Sequence, residues 1–426
     1  MRSFRWLVLC FLVLSLTGCG ETAGEAVGSH RHVARTSGSA VALSYDERVA
    51  VVTNFSAGIV TVLSLKPERG LEKMVTRTTV LSVGQGSEPC SVVIGANDNT
   101  AYVLLRRDQQ VIRIDNLRGE PKVFETRRTV GAEPTSLAIT PTGKFLFVAN
   151  FGEGTISKIR TDSFEDDEPI DLNERLVDKG LLGAGLKSRA GLAHPRALVV
   201  SDNGDQSDAD ETLYATEFFS QPVPGAGRDV GDVDSNRQGV VYSTRLTGQA
   251  GPTLDISAVR DTGFKDSNGD TTSCFPNQLQ AAAIDNDRLY VTATCTSPRG
   301  PLDKQKDKTT QQDTSANYQT LHHPAVFVID THLNEEVPDE GRILTRVLRD
   351  LYEKDGDGNE LARMPLTPND IAFRAGPSGM HEAYVLALGQ TRCFGSTMTI
   401  RECCRASGRS TAASSARCPN TATATA

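Results

Sequence analysis

The sequence predicts an all-β fold built from one repeated unit. Three observations predict it. A turn–strand–turn–strand–turn–strand block recurs through residues 38–389. Its strands are short and rich in β-branched and aromatic residues, the types that suit a pleated, half-buried surface. Its turns carry Gly, Pro, Asn and Asp, whose fixed or permissive backbone angles stop strands.

The third copy is the clearest. Gly131-Ala132-Glu133-Pro134 opens it, Ser136-Leu137-Ala138-Ile139 is a strand, and Pro141-Thr142-Gly143-Lys144 is a tight turn. Phe145-Leu146-Phe147-Val148-Ala149-Asn150 and Thr155-Ile156-Ser157-Lys158-Ile159 supply two more strands. Copy one is Ala40-Val41-Ala42-Leu43, Val51-Val52-Thr53-Asn54 and Ile59-Val60-Thr61-Val62. Copy two runs from Gly86-Ser87-Glu88-Pro89 to Val111-Ile112-Arg113-Ile114-Asp115. Copies four, five and six open at His194-Pro195, Phe275-Pro276-Asn277 and Thr367-Pro368-Asn369. Their second strands contain Leu213-Tyr214-Ala215-Thr216, Leu289-Tyr290-Val291-Thr292 and Ala383-Tyr384-Val385-Leu386. Val51, Tyr102, Phe147, Tyr214, Tyr290 and Tyr384 mark one position in successive copies. Their separation starts near one repeat and nearly doubles by the last, so later copies carry insertions in loops, where length is tolerated.

These residues resemble the YVTN-type β-propeller repeat, best in Val51-Val52-Thr53-Asn54 and Phe147-Val148-Ala149-Asn150. The resemblance implies a β-propeller of about six to seven four-stranded blades, stacked because no blade buries both faces alone. It touches sugar-lactone hydrolases of the same repeat type. It also touches exported propellers that in longer forms continue into a c-type cytochrome segment. Haem attachment needs Cys-x-x-Cys-His, and the sequence has no such run.

Residues 1–18 read as a signal peptide. Arg2 and Arg5 precede the apolar run Leu7–Leu16, which is too short to span a bilayer. Leu16-Thr17-Gly18-Cys19 resembles the lipobox of bacterial lipoproteins. The resemblance implies lipidation of Cys19, a stable anchor of two or more acyl chains, and residence in the cell envelope. Gly20 favours the outer membrane, facing the periplasm or the surface. Residues 19–37 read as the lipidated cysteine and a flexible tether, with His30 and His32 solvated within it.

Export places the cysteines in an oxidising space, where disulfides persist. Cys274 and Cys295 bracket one strand pair and are the disulfide candidate; the alternative is two buried thiols. The net charge of -8, with no long basic run, argues against nucleic acid as a partner. Three acidic loops are candidates for calcium: Asp202, Asp205, Asp208 and Asp210 in the first, Asp266–Asp270 in the second, Asp355–Asn359 in the third. Closely spaced oxygens on a Gly-permitted loop suit a hard cation, although none completes an EF-hand. A solvated polar turn is the competing reading.

The repeat breaks off after Gly389, and residues 390–426 read as a disordered tail. Back-translated with free third bases and read two bases later, Gln390 onward permits Asp-Ala-Val-Phe-Arg-Val-Asp-Tyr-Asp. That string resembles Val111-Ile112-Arg113-Ile114-Asp115 and falls at the same distance from its tyrosine. The expectation is a frameshift that leaves the last blade incomplete, with an exposed edge as the consequence.

For function, the expectation is a non-enzymatic, membrane-anchored scaffold presenting a loop-built surface to a protein, glycan or small ligand. The alternatives are a lactonase-like hydrolase, or a truncated remnant of a propeller–cytochrome electron-transfer protein. Hydrolysis would need acid, base or cation groups converging at the channel mouth. His194 precedes Pro195 at a blade start, and Glu217 and Arg237 lie in the copy-four insertion, yet His194 reads as a turn cap and Glu217 as an exposed strand residue. His322-His323 reads as loop surface, and no catalytic residue is assigned. A Cys19→Ser chain is expected to lose incorporation of labelled fatty acid and to leave the membrane fraction. Unchanged membrane association of that variant would remove the anchor.

Overall fold

The computed structural model describes residues 35–66, 75–183, 185–225, 232–266, 268–300, 321–338, 341–344, 365–375, 381–389, 398–401 and 423–424. The leader, Cys19, both tether histidines, the acidic loop 355–359 and most of the tail beyond 389 lie outside these residues.

Each repeat folds into an antiparallel sheet, because alternating residues leave every strand with two usable faces. The first sheet joins Val41–Leu43, Val49–Asn54, Ile59–Leu65 and Val75–Ser82 in chain order. The third joins Pro134–Ile139, Phe145–Asn150, Thr155–Arg160 and Glu165–Asp171. The second, fourth, fifth and sixth start with Pro89–Ile94, Pro195–Val200, Phe275–Asp285 and Pro365–Ala375. Two short strands, Met398–Arg401 and Thr423–Ala424, take the outer positions of the sixth sheet. The sequence reading ends the repeat at Gly389; backbone pairing along a free strand edge needs no apolar pattern, so it is invisible to such a reading.

The chain is a β-propeller. Buried side chains form a core between each pair of consecutive blades. Val51, Val60 and Val62 meet Val92, Val103 and Ile112 between the first and second. Tyr102 and Leu104 meet Leu137, Val148 and Phe164 between the second and third. Phe147 and Ile156 meet Leu198, Leu213 and Tyr242 between the third and fourth. Tyr214 and Val241 meet Leu279, Val291 and Phe327 next, and Tyr290 and Val328 meet Ile371 and Val385 last. Cys274 and Cys295 are joined by a disulfide at the start of the fifth blade, with Cα atoms 5.4 Å apart.

Among the described residues contacts begin at Arg35, ahead of the boundary read from the sequence. Residues 36–39 run antiparallel to the inner strands, along the axis of the ring. The Thr36 hydroxyl donates to the Val200 carbonyl and accepts from the Val200 N–H at 3.1 Å. The Thr36 carbonyl accepts from the Ile139 N–H at 2.9 Å, and Gly38 N–H donates to Leu137 at 2.8 Å. Ser39 bridges to Val92, and its hydroxyl donates to Asp370 Oδ2 at 2.5 Å. Four blades are thereby tied to one short segment. It looks like tether in the sequence because small polar residues carry no apolar period; here their backbone supplies the contacts.

Gly38 allows this approach. A Cβ there would meet Ser91 Oγ at 2.5 Å and the Leu137 carbonyl oxygen at 2.9 Å, both closer than real Cβ contacts. Gly38→Ala is expected to destabilise the chain by about 1–3 kcal/mol, the usual cost of overpacking. Thermal melting would read this as a drop of several degrees; an unchanged melting temperature would mean that the axial segment is not packed.

Candidate functional site

Each inner strand from the second blade onward starts at or near a proline, which cannot donate to the ladder. Register shifts follow: between Pro89 and Ser91, Pro134 and Ser136, Pro195 and Leu198, Asn277 and Ala281, and Pro368 and Asp370. A bulge re-aims the residue it leaves unpaired. Cys90, Thr135 and Arg196 are such residues, and they meet at the mouth of the ring where the inner strands begin. Glu88, Glu133 and Gln278 beside these bulges adopt left-handed backbone, with φ of 56°, 49° and 49°. Strain of this kind is held only where surrounding structure fixes it.

Arg196 ties the fourth blade to its two neighbours. Its Nε donates to Gln280 Oε1 of the fifth blade at 3.3 Å, and its carbonyl accepts from the Thr135 hydroxyl of the third at 2.9 Å. Burial lowers its pKa, and repulsion from Arg106 of the second blade lowers it further, while Cys90 opposes the shift. Among the described residues no carboxylate pairs with Arg196. Cys90 is a free thiol whose pKa burial pushes up to about 12, so thiolate is scarce near neutral pH. Across the mouth, burial raises the Asp370 pKa against the hydrogen bond from Ser39.

Beside Arg196 lies a second group. Glu217 is fully buried, not exposed as the strand pattern suggests. Its carboxylate accepts from the His194 backbone N–H at 2.9 and 3.1 Å and from the Tyr242 hydroxyl at 2.9 Å. The His194 ring stands with Nδ1 3.6 Å from Glu217 Oε1, and 27% of its side chain is exposed. Burial, then the adjacent carboxylate, raise the Tyr242 pKa well above that of free tyrosine. His194 packs edge-on against Phe151 and Phe219 at 5.1 and 5.0 Å, and Phe218 completes the aromatic group.

The repeat explains why Glu217 is there. Pro134 pairs with Asn150, and Pro195 pairs with Glu217, so the carboxylate occupies the asparagine position. Asn150 accepts from Gly131 N–H at 3.1 Å and donates to Ser157 Oγ at 2.9 Å. A carboxylate can only accept, so its partner must donate. Tyr242, at the position of Ser157, supplies that proton. Arg196, Tyr242 and Asp370 escaped the sequence reading. Lining up the residue after each inner-strand proline would have exposed the first.

The remaining candidates do not converge on the mouth. Arg237 is turned to Ser220, with Nε donating to Oγ at 2.7 Å and a further bond to the Ser220 carbonyl. In the first acidic loop the carboxylates are engaged one by one. Asp202 caps Gly204, Asp205 caps Ser207, Asp210 takes the Asn203 amide, and Asp208 reaches across to Thr142. Asp266 likewise accepts from the N–H groups of Asn268 and Asp270. Among the described residues no three acidic, His or Cys side chains are grouped to hold a metal ion. His323 is fully buried and stacked on Phe264 at 5.2 Å, so it is not the loop surface expected from sequence; Cys295 pairs with it in the sheet.

A family profile described as "Lactonase, 7-bladed beta-propeller" matches residues 73–195. No curated protein matches the sequence. Among solved structures, the chain is similar to the hydrazine synthase of Kuenenia stuttgartiensis, with 15% identity, 86% of this chain and 80% of that chain covered, and a TM-score of 0.46. It is also similar to a Bacteroides uniformis protein proposed to be a 6-phosphogluconolactonase, with 13% identity, 84% and 82% covered, and a TM-score of 0.42.

Cys90 offers a direct check on the mouth. With a pKa of about 12, its thiol is expected to resist iodoacetamide at pH 8 in the folded chain and to react once the chain is denatured. Peptide mass mapping reads this; rapid labelling of native Cys90 would contradict the burial.

Proposed function

We propose that the chain is an exported, lipid-anchored propeller that hydrolyses lactones at this mouth. The carrying observation is the partly exposed His194 ring, two residues before Arg196, set against the fully buried Glu217 carboxylate. Glu217 Oε1, 3.6 Å from the ring Nδ1, orients the imidazole. His194 takes a proton from water as the water oxygen attacks the lactone carbonyl carbon. The ring C–O bond breaks, and the proton passes to the departing alkoxide, giving a hydroxy acid. Arg196, which no carboxylate pairs among the described residues, stabilises the negative charge that builds on the carbonyl oxygen. Phe151, Phe218 and Phe219 form an apolar wall for the substrate ring. The match of residues 73–195 to a lactonase profile supports the same reading.

A binding scaffold at the cell envelope is the second reading. The observation favouring it is that Glu217 already satisfies backbone and hydroxyl donors, as Asn150 does in the third blade. Under that reading Glu217 is a pin, and the mouth binds a glycan or small anion without turnover.

The two are separated by assaying the full chain in detergent on five- and six-membered sugar lactones by proton release. Turnover is expected, and His194→Ala is expected to reduce kcat about 10²–10⁴-fold, the usual worth of a general base. Arg196→Gln should reduce kcat while leaving the melting temperature close to that of the parent. Absence of turnover across the panel, with calorimetric binding of a sugar or small anion retained, would replace hydrolysis with binding.

A further inference from the structure

The mouth is divided by chemistry, and the repeat shows how. The residue that follows the second strand sends its N–H to the carbonyl of the residue ahead of the inner-strand proline. Arg106 donates to Glu88 at 3.0 Å, Phe151 to Glu133 at 3.2 Å and Phe218 to His194 at 3.0 Å. One backbone position is therefore cationic in the second blade and aromatic in the third and fourth. Phe219 extends the aromatic side. It is 42% exposed, while Phe151 and Phe218 are half-buried.

Three phenylalanine rings make this wall. Phe151 lies 5.5 Å from Phe218 and 6.2 Å from Phe219, and Phe218 lies 4.8 Å from Phe219, centre to centre. The fifth blade holds the wall in place. Leu279 N–H donates to the Phe218 carbonyl at 3.2 Å, and Ser220 N–H donates to Asn277 Oδ1 at 3.0 Å. A lactone ring is no larger than one phenyl ring, so it covers only part of this surface. Apolar surface left in water at a fixed site marks a place for an apolar group.

The polar side chains beside the wall offer nothing to a polyol. Asn150 and Glu217 precede Phe151 and Phe218, Ser220 and Gln221 follow Phe219, and all four are at most 6% exposed. Each is engaged by the protein. Asn150 bonds Gly131, Thr155 and Ser157, and Glu217 bonds His194 and Tyr242. Ser220 bonds Arg237 and Asn277, and the Gln221 amide donates to the Phe219 carbonyl. A sugar hydroxyl laid against the wall would give up water and gain no partner from these groups, which weakens binding.

We propose that the substrate of this site is a lactone with an apolar substituent, an alkyl or aryl group on the carbon bearing the ring oxygen, seated on Phe151, Phe218 and Phe219. The lactone ring in this assignment rests on hydrolysis at His194; the apolar substituent rests on the wall alone. The carbonyl then lies toward Arg196, and the substituent turns toward the third and fourth blades.

The test measures kcat/KM by proton release on the full chain in one detergent. Its substrates are five-membered lactones bearing hydrogen, methyl, propyl or pentyl at that carbon, and a polyhydroxylated lactone of the same ring size. A rise of about two- to fourfold per methylene is expected, with the polyhydroxylated lactone below the methyl compound. Phe219→Ala should flatten the rise while its melting temperature stays close to that of the parent, and Phe219→Leu should restore most of it. Where no lactone turns over, calorimetry with tetrahydrofurans of the same substituents decides. Affinity that climbs with chain length in the parent and not in Phe219→Ala would remove hydrolysis and keep the apolar ligand; flat affinity would overturn the proposal. Turnover that is level or falling along the series, or highest for the polyhydroxylated lactone, would overturn it and leave hydrolysis standing.

Discussion

A sheet with apolar side chains on both faces has no stable resting state in water, and this single constraint organises the propeller. Every blade from the second to the fifth buries one face against the blade before it and the other against the blade after it. Stability is therefore a property of neighbouring pairs, as in other repeat arrays. From the second blade to the fifth, the large aromatic of the second strand reaches forward, so direction around the ring is written into side-chain parity. Shifting one strand by a single residue would turn its whole buried set to the wrong neighbour.

The fold was legible because that parity leaves a period of two in the sequence, bounded by Gly and Pro. Tyr102, Phe147, Tyr214 and Tyr290 could be placed in strands from pattern alone, and each is buried between blades. The mouth was much less legible. Glu217 sits at the end of a strand, where a charged residue ordinarily marks solvent. Only comparison across copies, with Asn150 in its place, shows the position to be an interior one. Arg196 was hidden for a related reason: it belongs to a bulge, and a bulge interrupts the alternation by which inward and outward residues are told apart.

The exchange of Asn150–Ser157 in one blade for Glu217–Tyr242 in the next shows how a repeat acquires a special site. The backbone frame stays, since Pro134 and Pro195 make equivalent pairings. The hydrogen-bond polarity changes, because an amide both gives and takes protons while a carboxylate only takes them. The new donor is a tyrosine, whose ring also joins the core between the third and fourth blades. A charged group thus enters the interior with its acceptors met, and one of them remains close to an imidazole that solvent can reach.

The axial strand carries a consequence for how the molecule comes into being. Thr36 finds Val200, 164 positions later, and Ser39 finds Asp370, 331 positions later. During synthesis these early residues leave the ribosome with no lasting companions and wait for most of the polypeptide to appear. Such long sequence separations slow folding, because loop-closure entropy is lost before any contact compensates it. The hub of the wheel is made first and seated last, so proteases and chaperones would meet an unfinished ring threaded by a loose end.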